Sequence, residues 1–439
     1  MGGKLADRRA DLPGLCAIVL CAAVLLAIVP FVSDPFLQEA VKALGALSIG
    51  GFLGSLGAVL ILVAVPVLLL GMVAPYANRL AVDRVADTGT ITGRLYAIST
   101  AGSLLGTFLA ALLLIPLIGT HRTFLVFAFA LVAVAAPVLR PRWLLAVPVV
   151  VGGLLAVPPA GVGAGVAGAR VIYATETPYQ SARVIELRSG ERWLELNEGV
   201  AIHSDYRPGS YLTGGYWDDF LVLPTLAGRT VPQRIAILGD AAGTVARAYG
   251  HYYPGTRVDA VELDGELTRI GRRYFDLQGP NLHTYTADAR PWLAASRARY
   301  DEIFLDAYRQ PYIPFYLVTR EFFASVRAHL RPGGLIIVNV GHTPGSDGLE
   351  KVVSATLGAE FGVVVRDRIS DGNTLVMASR RPLGAPLPGA LPAELQALAR
   401  TVGARLKPPL RGGAVYTDDL SPVEWLTDLS LLRYAAGHR

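Results

Sequence analysis

Four apolar segments between Ile235 and Asp306 each end in an acidic residue. The segments read RIAILGD, VDAVELD, LHTYTAD and YDEIFLD, and they end at Asp240, Glu262 with Asp264, Asp288 and Asp306. A short apolar run bounded by turn residues is typical of a buried parallel strand. Because ligands of open α/β sheets bind outside the carboxyl ends of the strands, we expect these acids to line one crevice.

Carboxylates in such a crevice offer hydrogen-bond acceptors and negative charge. They suit ribose hydroxyls, an adenine amino group and cationic nitrogen, whereas a polyphosphate requires donors and positive charge. The acids therefore predict a nucleoside with a cationic tail as the ligand, rather than ATP.

The turn after the first segment runs from Gly239 to Gly243 and reads GDAAG. Its small residues allow a ligand to approach the backbone, and the helix that follows offers free N–H groups. Glu262 comes 23 residues after Gly239, close to the spacing at which an acid binds ribose hydroxyls. NAD would fit this spacing, but the turn departs from the GxGxxG pattern. A tight turn and a helix cap are the structural alternatives for Gly239 and Glu262.

Two further acids have candidate roles. Asp288 precedes a predicted helix beginning at Ala289, so it is a candidate N-cap as well as a ligand for an adenine amino group. Asp306 follows EIFL and precedes a loop rich in Pro and Tyr, where a carboxylate could deprotonate an amine nucleophile or hold a cationic substrate. Tyr308 and Tyr312 of this loop could wall the pocket and make cation–π contacts.

The elements that must position these residues are strands alternating with helices from Arg234 onward. This pattern predicts a parallel, doubly wound α/β sheet with right-handed crossovers. Its last two strands are predicted in VVVRDR and NTLVMASR. Two alternating runs that flank Ser189-Gly190 predict a small antiparallel β-subdomain before the main sheet.

The first part of the chain is predicted to be a helical membrane domain. Hydrophobic residues make up 52% of the chain and charged residues 17%, too apolar a balance for one soluble domain. We expect four or five membrane helices, in Leu15–Val32, Leu47–Val73, Leu95–Ile118, Thr123–Leu139 and Trp143–Val157. Alternating basic loops place the N-terminus in the cytoplasm. If the fifth segment also crossed the membrane, the globular half would lie outside the cytoplasm. Either the fifth segment is interfacial or re-entrant, or the distribution of basic residues does not give the orientation of this chain.

Several classes of function are disfavoured. The net charge is +5, and the basic residues are scattered, so we expect no nucleic-acid partner. Cys16 and Cys21 offer neither a disulfide framework nor metal-ligand spacing. The membrane segments contain almost no ionisable residues, which argues against a transporter.

The globular half resembles the spermidine synthase family, which are aminopropyltransferases of methyltransferase-type fold. The whole chain is more similar to bacterial proteins that fuse a membrane domain to a spermidine synthase-like domain. The resemblance rests on stretches such as LLLGMVAPYANRL, TPYQSARVIE, ILGDAAGT, VELD, ADAR, LDAYRQPYIPFYLVTREFF and YTDDLSPVEW.

The resemblance implies a transmembrane domain in residues 1–160, a β-subdomain in 170–200 and a Rossmann-like transferase domain in 201–439. The co-substrate would be decarboxylated S-adenosylmethionine, or S-adenosylmethionine itself, and no metal is needed. The acceptor would be a polyamine such as putrescine or another amine. The protein would lie in the bacterial inner membrane, with its globular domain in the cytoplasm, and could form a homodimer.

The resemblance also implies roles for individual residues. Asp306 would be the catalytic base, Tyr216 would lie on the substrate side, and the co-substrate would contact Gln180, Glu262 and Asp288. Beside these residues, the turn and helix starts described above add further predicted co-substrate contacts, namely Gly239, Asp240, Gly243 and Ala289, and the loop adds Tyr308 and Tyr312 on the substrate side.

Three positions depart from the family pattern. Ala242 stands where the family has an Asp that holds the amine of the co-substrate, and Asp240 lies two residues earlier. Arg309 stands where a second Asp grips the diamine, and Trp217 replaces a Gln. A cation in a diamine site opposes a dication by Coulomb repulsion. The alternatives are therefore a methyltransferase with a non-polyamine acceptor and a catalytically silent nucleoside-binding membrane module.

Overall fold

The computed structural model describes residues 5–7, 11–46, 51–82, 88–140, 142–157, 168–197, 201–228, 231–309 and 311–437. The chain divides into two compact units. One is Met1–Val162 with Glu176–Pro178, and the other is Gly163–Thr175 with Tyr179–Arg439. The predicted boundaries at residues 160 and 200 lie outside the described residues.

The first unit is helical. Its α-helices are Leu12–Ala46, Gly51–Gly71, Val73–Ala81, Thr88–Leu109, Ile115–Ala135 and Ala146–Leu154. Among the described residues, three stretches are long and apolar enough to cross a membrane, namely Leu12–Ser33, Val59–Ala81 and Thr88–Val138, and Arg142–Leu154 is a shorter apolar helix. The predicted second segment begins in residues 47–50, which lie outside the described part of the chain.

The third stretch joins the third and fourth predicted segments. Its 51 residues would extend about 75 Å as one straight helix, whereas one crossing needs about 30 Å. Gly119 interrupts it with φ 81° and ψ 167°, a conformation that glycine adopts without steric cost. This break divides the stretch into two parts, so the expectation of four or five membrane helices stays a prediction.

The second unit begins with a four-stranded antiparallel sheet in the order β1-β2-β3-β4. The strands are β1 Arg170–Glu176, β2 Ser181–Glu186, β3 Arg192–Leu196 and β4 Ile202–Tyr206. Val184 and Leu194 of this sheet pack against Leu267 and Ile270 of a later helix. The sheet extends beyond the predicted subdomain, because β4 lies in a segment that the sequence did not assign to a strand.

The main sheet has eight strands in the order β12-β10-β11-β9-β8-β5-β6-β7. They are β5 Arg234–Leu238, β6 Arg257–Glu262, β7 Leu282–Thr286, β8 Tyr300–Leu305, β9 Leu330–Gly341, β10 Val363–Arg368, β11 Asn373–Ser379 and β12 Leu406–Lys407. Strands β5 to β9 are parallel, which confirms the predicted α/β class.

The wholly parallel sheet that the sequence predicts is corrected at one edge, where β11 runs antiparallel to both β9 and β10. Only Ile369–Gly372 lie between β10 and β11. A parallel connection needs a crossover of a dozen or more residues, so this short link closes a hairpin.

Helices cover both faces of this sheet. They are Tyr216–Asp219, Thr244–Tyr252, Gly265–Tyr274, Ala289–Ala295, Arg320–His329, Gly348–Phe361, Ala393–Arg405 and Val423–Gly437. Ile303 of β8 packs with Phe322 on one face, and Phe304 packs with Tyr249 on the other. Alternate residues of a strand point to opposite faces, so β8 is buried on both sides.

The order of strands creates a switch point between β5 and β8. The chain passes from β5 to β6 and β7 on one side, and it returns to β8 on the other. Leu238 pairs with both Val261 and Leu305, so the carboxyl ends of these strands lie at one level. Ligands of open α/β sheets bind at such a point.

Candidate active site

At the switch point, backbone hydrogen bonds continue one residue beyond the ends of β5 and β8. The Gly239 N–H donates to the Val261 carbonyl at 2.9 Å, and the Asp306 N–H donates to the Leu238 carbonyl at 2.9 Å. The residues that follow β5, β6 and β8 are thereby held side by side. The structure thus brings Asp240, Glu262 and Asp306 to one edge of the sheet, as the sequence predicts.

Asp306 is fixed through both oxygens of its carboxyl group. Tyr216 Oη donates to Oδ2 at 2.9 Å, and Asn339 Nδ2 donates to Oδ1 at 2.8 Å. Burial raises the pKa of Asp306 to about 7, although both hydrogen bonds favour the ionised form and act in the opposite direction. A carboxyl group with this pKa exchanges a proton near neutral pH, as a general base must.

Asn339 is a site residue that the sequence analysis missed. It is 3% exposed in β9, and its Oδ1 accepts a hydrogen bond from Asn373 Nδ2 at 3.0 Å. That bond fixes which side of the amide faces Asp306. A polar residue inside the apolar run LIIVNV was the available signal, because a buried amide requires partners.

Glu262 is engaged by the backbone of the neighbouring turns. Its Oε2 accepts from the Ala241 N–H at 2.9 Å, and its Oε1 accepts from the Asp264 N–H at 3.0 Å. Burial raises the pKa of Glu262, and these hydrogen bonds oppose the increase. Each carboxylate oxygen keeps a further acceptor position, so its bonding capacity allows a ribose hydroxyl as an additional donor.

The glycines of the turn are required by its geometry. Gly239 has φ 91° and Gly243 has φ 90°. A Cβ on Gly239 would lie 2.6 Å from Ala307 Cα, and a Cβ on Gly243 would collide with the Leu277 side chain. The tight-turn alternative therefore holds for Gly239.

Asp240, in the same turn, is 8% exposed. Burial raises the pKa of its carboxyl group well above the usual value, and the negative charges of Glu262 and Asp306 add to this increase.

Asp288 is an N-cap, as one of its two predicted roles requires. Its Oδ1 accepts from the Arg290 N–H at 3.0 Å at the start of the helix that begins at Ala289. Its Oδ2 accepts from Tyr316 Oη at 2.8 Å. The cap leaves room for a second role, because a carboxylate has about four acceptor positions. Contact of Asp288 or Ala289 with adenine stays a prediction.

Gln180 reaches the same edge from the link between β1 and β2. Its Nε2 lies 3.5 Å from Asp264 Oδ2, and Asp264 caps the helix that follows β6. The amide therefore lies beside the turn after Glu262. Contact of Gln180 with the co-substrate stays a prediction.

The three tyrosines predicted on the substrate side differ in their contacts. Tyr216 reaches Asp306 directly. The Tyr308 hydroxyl accepts from the Gly341 N–H at 2.5 Å and donates to the Asn339 carbonyl at 2.9 Å. Both bonds direct it toward β9. Substrate contact by Tyr308 stays a prediction and would have to involve its ring.

Tyr312 is held by the last helix of the chain. Its hydroxyl donates to Asp428 Oδ1 at 2.7 Å, and a tight turn with two backbone hydrogen bonds joins it to Arg309. Arg309 itself is exposed. Contact between Tyr312 and a substrate is likewise untested.

In the part of the chain that the structure describes, no group of three or more His, Cys, Asp or Glu residues could hold a metal ion. No ion pair joins Asp240, Glu262 or Asp306 to a basic residue within that same part. The edge therefore presents three carboxyl groups without a protein cation, which suits a ligand that carries positive charge.

The fold and the site define an open α/β domain whose main sheet has a switch point with a carboxyl group at it. No family model matches the chain. A probable polyamine aminopropyl transferase of Bifidobacterium longum is 35% identical over 222 residues, covering 49% of this chain and 47% of the relative. A polyamine aminopropyltransferase of Vibrio vulnificus is 34% identical over 184 residues, covering 40% of this chain and 60% of the relative.

These similarities relate the chain to the spermidine synthase-like proteins, which confirms the resemblance seen in the sequence. The chain spans about half the length of the curated relatives it matches. Fusion to a membrane domain stays a prediction. A probable spermidine synthase from Corynebacterium glutamicum is 23% identical, covers 59% of this chain and 93% of its own, and has a TM-score of 0.45. At this TM-score the structural likeness supports no statement about activity.

Proposed function

We propose that the protein is an aminopropyltransferase that transfers the aminopropyl group of decarboxylated S-adenosylmethionine to an amine such as putrescine. The observation that carries this proposal is the carboxyl group of Asp306. It lies at the switch point of the sheet, accepts hydrogen bonds from Tyr216 and Asn339, and has a pKa of about 7. The relationship to polyamine aminopropyltransferases supports the same conclusion.

The reaction requires one bond to form as another breaks. The acceptor nitrogen attacks the methylene carbon next to the sulfonium sulfur, and the carbon–sulfur bond breaks as the carbon–nitrogen bond forms. Methylthioadenosine leaves with the bonding electron pair, and Asp306 takes the proton from the nitrogen. Positioning and proton removal are the main demands of this step.

The remaining residues at the edge hold the nucleoside in this proposal. Glu262 accepts from the ribose hydroxyls, and Asp288 accepts from the adenine amino group next to Ala289. Gln180 faces the co-substrate beside them, while Gly239 and Gly243 let it approach the turn. This assignment uses the acceptor positions that the protein's own hydrogen bonds leave open.

We expect the rate to follow the ionisation of Asp306. A base must be deprotonated, so kcat/KM should rise roughly tenfold per pH unit below the pKa of the base and become constant above it. With the Asp306 pKa at about 7, the change of slope should fall near neutral pH. Initial rates of methylthioadenosine formation between acidic and alkaline pH check this. If kcat/KM does not change across neutral pH, Asp306 is not the base.

Replacing Tyr216 should move that profile. The Tyr216 hydroxyl favours the ionised form of Asp306, so Tyr216→Phe should shift the change of slope to higher pH and lower the rate several-fold at neutral pH. The rate above the new pKa should recover most of the loss. Tyr206→Phe is the control, because Tyr206 lies in β4 and its ring, which the substitution keeps, packs on Arg192 and Arg247. An unshifted profile with a uniformly lower rate would show that Tyr216 acts only through packing.

Product analysis tests the activity itself. The purified chain is incubated with putrescine and decarboxylated S-adenosylmethionine, and methylthioadenosine is expected. A parallel incubation contains S-adenosylmethionine and membrane extract. S-adenosylhomocysteine in that second reaction, without product in the first, would contradict aminopropyl transfer.

One specific observation favours a second candidate, a methyltransferase that acts on an acceptor other than a polyamine. Arg309 is exposed in the loop after Asp306, where a cation favours an anionic or lipid-borne acceptor over a diamine. Arg309→Asp separates the two candidates, since it should increase turnover of putrescine only if the loop contacts the acceptor of an aminopropyltransferase.

We also propose that the helical unit attaches the protein to a bacterial inner membrane, with the globular domain in the cytoplasm. The three long apolar stretches support attachment to a membrane. The alternation of basic loops favours an N-terminus in the cytoplasm. If the third stretch crosses twice, on either side of Gly119, the chain makes four crossings and returns to the cytoplasm. Reporter fusions after residue 157 and at the C-terminus test the side of the membrane, and a periplasmic signal would contradict it.

A further inference from the structure

Five side chains of the globular unit form a stack in which basic groups alternate with tyrosine rings. The Cζ atom of Arg247 lies between two rings, 4.6 Å from the centroid of Tyr206 and 4.2 Å from that of Tyr211. The stack continues at both ends. Arg192 lies over the Tyr206 ring at 5.4 Å, and His251 is stacked on Tyr211 at 3.9 Å with 6° between the ring planes. Because a guanidinium group is attracted to the face of an aromatic ring, Arg247 binds both of its neighbours.

This stack ties a loop to a helix. Tyr211 belongs to the loop between β4 and the short helix Tyr216–Asp219, whereas Arg247 belongs to the helix Thr244–Tyr252. Arg247 is 9% exposed, and its Nη1 also donates to the Ser210 carbonyl at 3.1 Å. One guanidinium group therefore holds two successive residues of the loop.

The same loop is fixed a second time just before Tyr216. The N–H groups of Thr213 and Gly214 donate to the buried carboxylate of Asp218 at 2.9 Å and 2.7 Å, and the Thr213 hydroxyl donates to it as well. Asp218 lies in the same short helix as Tyr216, whose hydroxyl reaches Asp306. Since the loop and the short helix are tied together, a displacement of the loop moves the Tyr216 hydroxyl.

We propose that Arg247 is a positioning residue, which holds the loop through the faces of two tyrosine rings and thereby keeps the Tyr216 hydroxyl against Asp306. This inference rests on the proposed function and adds to it a residue that acts through other groups. The role requires a planar cation, because guanidinium lies flat on a ring whereas the ammonium of lysine is a compact point charge. The ion pair between Arg247 and Asp276, at 4.0 Å, uses only the charge.

The pH profile of the reaction reports the contact between Tyr216 and Asp306. Asp306 accepts hydrogen bonds from Tyr216 and Asn339, and of these two donors Tyr216 alone is carried by the loop. Asp240 and Tyr308 also face Asp306, but neither belongs to that loop. Loss of the Tyr216 bond raises the pKa of Asp306, which is about 7 in the intact site. A rise of about one unit lowers the ionised fraction near pH 7 by about fivefold.

Two substitutions of Arg247 test the inference in the full chain in detergent, by the pH profile of methylthioadenosine formation. Arg247→Met keeps the aliphatic stem without the planar group, and Arg247→Lys keeps the charge. Both should move the change of slope in kcat/KM upward by up to about one pH unit and lower kcat/KM near neutral pH by up to about fivefold. Most of the loss should be recovered at alkaline pH. The calorimetric affinity for methylthioadenosine should stay within about twofold, which checks that the variants are folded.

A double-mutant cycle separates positioning from general support of the fold. In a Tyr216→Phe background the hydroxyl is already absent, so Arg247→Met should shift the profile no further and change the rate by less than about twofold. A matched pair of variants tests the loop side of the stack. Tyr211→Leu removes the ring and should shift the profile as Arg247→Met does, whereas Tyr211→Phe keeps the ring and should leave the profile unchanged. If Arg247→Met does not fold, this pair provides the same comparison.

Three results would overturn the inference while leaving the proposed function intact. The first is an unshifted profile in Arg247→Met and Tyr211→Leu, and the second is an equal shift by Arg247→Met in the Tyr216→Phe background. The third is a wild-type profile in Arg247→Lys, which would show that charge alone is sufficient. If the wild-type chain forms no methylthioadenosine at any pH, the proposed function fails and the inference fails with it.

Discussion

The variant Asp306→Asn should lose turnover by a factor of about 10²–10⁴, the usual contribution of a general base, while its affinity for the co-substrate stays within about twofold. Asparagine has nearly the shape of aspartate but cannot accept a proton at neutral pH. The local hydrogen bonds can survive, because the carbonyl of the introduced amide can accept from Asn339 and its NH₂ group can donate to the Tyr216 hydroxyl, which turns round to accept. The fold is therefore preserved, and only the proton acceptor is removed.

Methylthioadenosine formation and calorimetric binding, measured on the same preparation, check this expectation. Asp371→Asn is a matched control, since Asp371 is exposed and pairs with Arg368 on the surface. Wild-type turnover by Asp306→Asn would show that another group removes the proton. Joint loss of binding and turnover would instead make Asp306 a binding residue, with its catalytic role unsupported.

The second large effect is expected at Arg405, which joins two buried acids. Its Nε donates to Asp367 Oδ1 at 2.8 Å, and its terminal nitrogen also bonds Asp219. The side chains of Asp219 and Asp367 are 3% and 0% exposed. Arg405→Met keeps the aliphatic stem but leaves two carboxyl groups buried without their cation. The expected cost is about 3–5 kcal/mol of stability.

A loss of that size should lower the unfolding temperature of the globular unit by roughly 10 °C. Differential scanning fluorimetry measures it, with Arg368→Met as the control at an exposed pair. That control should change stability by less than about 0.5 kcal/mol. The helix Tyr216–Asp219 carries both Tyr216 and Asp219, so the Arg405 variant should also lose turnover through a displaced Tyr216.

The loss of stability in Arg405→Met should depend on pH. Burial raises the Asp219 pKa, and Arg405 opposes that increase. Without the arginine the Asp219 pKa rises further, and Asp219 accepts a proton more readily as pH falls. A group with a raised pKa in the folded state contributes stability below that pKa and loses it as pH rises. The gap between wild type and Arg405→Met should therefore shrink under acidic conditions, and a gap independent of pH would point to lost packing alone.

The sequence predicted the part of the site that depends on strand ends. Each acid follows an apolar run, and parallel strands bring such positions to one edge, so local pattern and topology together placed Asp240, Glu262 and Asp306. The same reasoning could not assign Asn339, because its role depends on the pairing of β9 with β8 and on its bond to Asn373. Neither is visible in the order of residues.

The sequence could not predict hydrogen bonds between residues far apart in the chain, for the same reason. Tyr312 and Asp428 are hydrogen-bonded although they are 116 residues apart in the chain. Neither segment contains a pattern that predicts this contact. The antiparallel β11 was missed because strand propensity carries no direction. The short link after β10 was the available signal. In the helical unit, hydropathy located the apolar segments, but it did not predict that Thr88–Val138 would form one long apolar stretch interrupted only at Gly119.

The bond between Tyr312 and Asp428 has a consequence for biosynthesis. The loop after Asp306 leaves the ribosome before the helix Val423–Gly437, so the nascent chain lacks the anchor of Tyr312 until that helix has been made. The strands of the main sheet precede the same helix in the chain, so they can fold while the loop is still without its anchor. We therefore expect the loop after Asp306 to become ordered later than the strand that it follows.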